Sequence, residues 1–224
     1  MKKNGFTLAE VLITLGVIGV ISAMTIPVVI QGYRKQEATS KLKKFYSTMA
    51  QAVQLAEEEQ GVKSRQWNDF AYSYDSEHYQ QGIDDAYTYW NKYLAKYVQT
   101  LKVEKGTYDK ENDDYFSNLT KIYFPDGTTA FVDTNGRAYC IWYDINGDKK
   151  PNEKGRDRFI FLLANPRTLN SHELQENISF NVGWLPNLNT RAKAFNKCKT
   201  NAIYCTTLLF YDNFEFKSDY PYKL

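Results

Sequence analysis

Asp144-Ile145-Asn146-Gly147-Asp148-Lys149-Lys150-Pro151-Asn152 is the stretch of this chain best stocked with oxygen ligands. Asp144, Asn146, Asp148 and Asn152 stand at positions one, three, five and nine, the spacing with which a calcium loop wraps a hard cation. The acid that closes such a loop belongs at position twelve, where this chain has Gly155, and Asp157 arrives two residues late. Calcium takes about six to eight oxygens, and the loop offers roughly four or five from side chains. Lys149, Lys150, Lys154, Arg156 and Arg158 also crowd Asp144, Asp148, Glu153 and Asp157. The reading is a metal-free turn between two strands. Its charges neutralise one another, and Asn146, Gly147 and Asn152 hold the reversal through backbone hydrogen bonds.

Catalysis has little else to work with. His78 and His172 lie in polar stretches without metal-ligand spacing and read as solvated side chains. There is no Gly-x-Ser-x-Gly elbow, phosphate loop or zinc pattern. The chain reads as a non-enzyme that needs no cofactor. Cys140, Cys198 and Cys205 are an odd set, which leaves their pairing open, and Cys140 sits in a strand pattern as a small apolar residue.

One further charged group stands out by its surroundings. From Phe6 to Ile30 the only charge is Glu10, in a run long enough, at about 1.5 Å per residue, to cross a bilayer as a helix. A carboxylate in a membrane helix costs about 2–3 kcal/mol at the bilayer centre and less near the end. Such a residue usually has a partner. A secretory signal peptide would have a shorter apolar core followed by small residues at its cut, and Ser22-Ala23 is a poor version of such a site. An uncleaved signal anchor would leave Glu10 without a role.

A basic head, Lys2-Lys3-Asn4-Gly5, then Phe6-Thr7-Leu8-Ala9-Glu10, then about twenty apolar residues, resembles the type IV prepilin signature. That family includes pilins, minor pilins and the pseudopilins of type II secretion. Pro27 also matches, since pilin-like chains often carry a proline at that depth. The resemblance covers residues 1–60 and implies a cut between Gly5 and Phe6 by a prepilin peptidase, with methylation of the new Phe6 amine. It assigns Glu10 to filament assembly, paired with the Phe6 amine of a neighbouring subunit. The implied partners are that peptidase/methyltransferase, sibling pilin or pseudopilin subunits, an assembly ATPase and its inner-membrane platform protein. Pilins often carry a disulfide-bounded loop near the C-terminus, and Cys198 and Cys205 flank a short polar turn there. Stretches like Asp144–Asp157 occur in pseudopilin-like proteins, which favours a structural loop over a metal site. Lys2 and Lys3 keep the leader in the cytoplasm, so the remainder is a single-pass inner-membrane protein with a periplasmic head. The rival is a membrane-anchored extracytoplasmic module that binds carbohydrate or calcium and does not polymerise.

The formal charge of +2 gives no case for a nucleic-acid partner, and loss of Lys2 and Lys3 leaves 26 basic and 26 acidic side chains. Eighteen tyrosines suit subunit contacts, yet strands also use Tyr as an amphipathic residue, and the second reading is favoured.

The positioning elements follow from period. Leu42, Phe45, Tyr46, Met49, Val53 and Ala56 recur at three- and four-residue steps, so one helix is expected from about Thr7 to Gln60, loosened near Pro27 and Gly32. Glu57-Glu58-Glu59 oppose the dipole at its C-terminus, and the last turn is expected to fray. Residues 62–82 read as a surface loop, 84–103 as a second helix and 104–114 as a linker. Period two then marks strands at 122–124, 129–132, 138–143 and 158–163, and a closing hairpin from Leu208-Leu209-Phe210-Tyr211 through Asp212-Asn213 to Phe214-Glu215-Phe216. The expected fold is α+β and pilin-like: a long N-terminal helix packed on an antiparallel β-sheet. The divisions are a leader 1–5, a membrane or filament-core helix 6–30, its amphipathic continuation 31–61, and a head 62–224.

Overall fold

The computed structural model describes residues 7–67, 78–112, 114–134, 138–164, 180–182 and 190–224. Helix α1 runs without a break through Leu8–Gln60, about 80 Å. Pro27 lies inside it and cannot donate the usual backbone bond, yet the helix continues past it. Its buried positions, Ala38, Leu42, Phe45, Met49, Ala52, Val53, Ala56 and Glu57, form one stripe at the expected steps. The C-terminal turn holds. Gly61 takes the left-handed conformation (φ 70°) and its N–H bonds Glu57 O at 2.9 Å. The acids reach forward to partners: Glu57 to Lys63 Nζ and Ser64 N, both 2.8 Å, and Glu59 to Lys96. Those contacts outweigh the unfavourable dipole, so the expected fraying does not occur.

Helix α2 spans Tyr79–Tyr89 and widens into a π turn over Trp90–Leu94. It therefore starts inside the expected loop and stops about nine residues before the expected end. Leu101, within the expected helix, is 70% exposed. Val103 sits instead in strand β1 (Lys102–Glu104), opposite Ile122. A β-branched residue suits a strand position better than the helix expected there.

The sheet is a six-stranded antiparallel meander in sequence order: β1, β2 (Thr120–Tyr123), β3 (Thr129–Thr134), β4 (Ala138–Asp144), β5 (Arg158–Ala164) and β6 (Phe180–Asn181). β3 continues through Asp133 and Thr134, two residues past the expected strand and into the turn expected at 133–136, whose remainder lies outside the described residues. One face packs Ile122, Ala130, Val132, Ile141, Tyr143 and Phe161 against the α1 stripe. Phe45 stacks on Tyr143 at 3.9 Å between ring centroids and 10° between planes. The opposite face is covered too, with Phe131, Cys140, Trp142, Ile160 and Leu162 packed beneath Phe116 and Leu119. Both faces being covered, every residue of β4 is buried.

The expected closing hairpin is not formed. Cys205–Tyr211 is helix α4, and Asn213 and Phe214 turn the chain with φ of 54° and 58°. α4 follows α3 (Arg191–Thr200) and lays Leu208 and Leu209, both fully buried, onto the head. Thr206 Oγ1 accepts from the buried Ile160 N–H at 3.0 Å, so the helix supplies β5 with a hydrogen bond that a strand would otherwise give.

Candidate functional site

The N-terminal half of α1 is the first candidate. Between Leu8 and Ile30 its large apolar side chains are exposed, and its most apolar window is 0% buried. One helix, near the N-terminus, is thus long and apolar enough to cross a membrane. Gly5 and Phe6, the expected cleavage junction, lie outside the described residues. Glu10 is described, and its geometry adds a role that period alone misses. Thr7 is the N-cap: Glu10 N–H donates to Thr7 Oγ1 at 3.3 Å, while Thr7 N–H and Oγ1–H donate to Glu10 Oε2 at 2.8 and 2.9 Å. The signal, Thr-x-x-Glu before an apolar run, is legible as a capping box. Glu10 therefore starts the helix in the free subunit, with its carboxylate held at the helix N-terminus where the dipole favours an anion.

The second candidate is the β4–β5 loop. Asp144 is fully buried at the end of β4. Its carboxylate accepts from Asn146 N–H at 3.2 Å and from Arg158 Nε at 2.9 Å. Desolvation pushes its pKa up to about 6, against the lowering effect of the Arg158 and Asn146 hydrogen bonds. Asp157 accepts three N–H groups: Glu153 N at 2.6 Å, Asn152 N at 2.7 Å and Asn146 Nδ2 at 3.1 Å. The structure thus brings together Asp144, Asn146, Asn152 and Asp157, while Asp148 turns away to pair with Lys121. Asn146 and Asn152 hold the turn as expected, donating to the two aspartates, and Asn146 Nδ2 also reaches Lys150 O at 3.4 Å. The side-chain oxygens of Asn146 and Asn152 are buried and accept no hydrogen bond.

Gly147 (φ 68°) brings the loop so close to the β2–β3 turn that an added Cβ would lie 2.5 Å from Gly127 O. Gly155 (φ 78°) does the same against Cys205 Sγ, at 3.3 Å. Tyr220 Oη donates to Gly155 O at 2.6 Å, and Arg156 Nε to Lys223 O at 2.8 Å. The loop is therefore a pin that joins the sheet, α4 and the C-terminal segment.

Cys198 and Cys205 are disulfide-bonded with Cα atoms 4.6 Å apart, tying α3 to α4. Cys140 is free and buried, and burial raises its thiol well above the usual range. Among the described residues no cluster of three or more His, Cys, Asp or Glu side chains could hold a metal.

Residues 1–26 match the prokaryotic N-terminal methylation motif. That motif, the exposed apolar half-helix and the sheet-backed head mark a type IV pilin-like precursor, and they fit a single-pass membrane anchor. No curated protein and no solved structure matches the chain. Residues 28–224 match a family of unknown function (DUF6613), and the chain belongs to that family.

Proposed function

We propose that this protein is a minor subunit of a type IV pilus or a type II secretion pseudopilus, a structural part rather than an enzyme. A prepilin peptidase cuts between Gly5 and Phe6 and methylates Phe6. The head then stands in the periplasm on a single inner-membrane helix until an ATPase and its platform protein move the subunit into a filament of sibling pilins. The observation that carries this reading is the division of α1. Its first buried residue is Ala38, so the apolar half before Ile30 has no partner among the described residues. Packing that half beside the same half of other subunits satisfies it. Glu10 would enter the bundle nearly dry, and a carboxylate there needs a cation. The amine of Phe6 on the adjoining subunit supplies one.

Two measurements test the proposal. N-terminal sequencing is expected to find N-methylated Phe6; a chain starting at Met1 or near Ala23 overturns it. Glu10→Ala is expected to be cleaved and inserted normally but to be depleted at least about tenfold from sheared filaments, as loss of a dry ion pair requires. Normal incorporation of that variant refutes the pairing.

A further inference from the structure

The lip of the head nearest the apolar half-helix is basic. A recess of about 630 Å³ lies between α1 and the β4–β5 loop, lined by Arg34, Lys41, Lys149, Lys150 and Arg156 along with Glu37, Asp126, Asp157 and the C-terminal Leu224. Each of the acids is already engaged. Glu37 pairs with Lys41 at 2.8 Å, Asp126 with Lys44 at 2.8 Å, and Asp157 is filled by its three N–H donors. Lys41 also donates to Ile145 O at 2.9 Å, and Arg156 pairs with Glu153 at 2.8 Å. Arg34, Lys149 and Lys150 are exposed and have no carboxylate partner among the described residues, and neither has the half-buried Lys35. Three cations of the recess, Arg34, Lys149 and Lys150, thus carry no ion pair among the described residues and Lys35 stands next to Arg34 in the sequence, so that they outnumber the uncompensated charges of Asp157 and the Leu224 carboxylate.

Their place is set by the helix. Arg34 follows Ile30 by one turn, about 6 Å, and the polar headgroup layer beyond the hydrocarbon core is about 5–7 Å deep. Lys149 and Lys150, on the loop tip, line the same recess as Arg34, which reaches along α1 as far as Lys41. Gly147 and the Asp157 hydrogen bonds fix the tip there and keep it from swinging away.

We propose that Arg34, Lys35, Lys149 and Lys150 form a collar that binds the phosphate of anionic phospholipids in the membrane the helix spans. This rests on the membrane-anchored reading of α1 given above. Charge complementarity and continuity with the apolar half-helix select the occupant. Lipid phosphates lie at this depth around an inserted helix, and each cation near an anionic surface favours binding by about fivefold. The collar holds the head against the bilayer before the subunit leaves it.

The test uses the full chain in vesicles of neutral phosphatidylcholine mixed with anionic phosphatidylglycerol. The chain is extracted in mild detergent and the lipid retained on it is measured. Wild type is expected to retain phosphatidylglycerol above its share of the vesicle. Arg34→Gln/Lys149→Gln/Lys150→Gln is expected to lose about tenfold or more of that enrichment. High salt added to wild type is expected to do the same, which covers the case of a misfolded variant. Equal retention by variant and wild type, or no enrichment in wild type, overturns the collar. So does a wild-type oligomer in purely neutral vesicles that the variant loses, because the cations would then meet acids of a second copy. Carbonate extraction separates the two readings: a chain that washes off fails as a membrane anchor, whereas an inserted chain without enrichment fails only as a lipid-binding collar.

Discussion

Asp157 and Asp133 carry the chemistry of the head in opposite ways. The Asp157 carboxylate receives three N–H groups, so the donors of the loop occupy the space a cation would need. Asp157→Ala leaves those donors short of acceptors and is expected to cost about 3 kcal/mol, read as a lower urea midpoint. Calcium at about millimolar concentration is expected to leave the melting temperature unchanged; a rise that Asp144→Ala abolishes would assign the loop to calcium. Asp133 is partly buried and has the Tyr115 hydroxyl as a donor. Desolvation nevertheless pushes its pKa from 3.8 up to about 6, as it does for Asp144. A raised carboxylate pKa means that the native state binds its proton more tightly than the unfolded chain. The contribution of Asp133 and Asp144 to stability is therefore expected to fall as pH rises from about 4 to about 6 and to level off above, against the opposite trend of the carboxylates held low by ion pairs, such as Asp84 and Asp212. Urea titrations across that range check the sign, and Asp133→Asn is expected to flatten part of the slope.

Elements explain what could be read from the chain and what could not. α1 was legible because Leu42, Phe45, Met49, Val53 and Ala56 sustain one period over several turns. The β2–β3 hairpin was legible as two runs of period two, and Gly127 between them takes φ of 79°. α4 was not, because Leu208 to Tyr211 is too short a run to separate a period of 2 from one of 3.6. Its state is decided by non-local partners, Ile160 N–H and the Cys198 bond. The loop candidates were grouped correctly except Asp148, whose partner Lys121 lies on β2, beyond the reach of any spacing argument. Two expectations belong to this scale. Met49→Ala empties a fully buried site between α1 and the sheet and is expected to cost about 2–5 kcal/mol by urea unfolding. Cys198→Ser opens a short loop and is expected to cost about 2–3 kcal/mol by chain entropy, seen as a lower melting temperature with Cys140 still unreacted toward thiol reagents.

The molecule divides at Ala38, before which α1 has no buried residue among those described. A chain beginning at Tyr33 is therefore expected to melt within about 1 kcal/mol of the full chain in detergent, because no buried contact of α1 is removed. A larger loss would show that the apolar half supports the head. The same layout has a mechanical consequence. A pull along the axis of α1 does not peel the helix from the sheet one turn at a time. The stripe from Ala38 to Ala56 lies along the line of force, so its contacts are loaded in shear and must yield together. A pull at right angles would meet them singly. The protein is accordingly expected to withstand far more tension along its helix than across it, which suits the filament role proposed above.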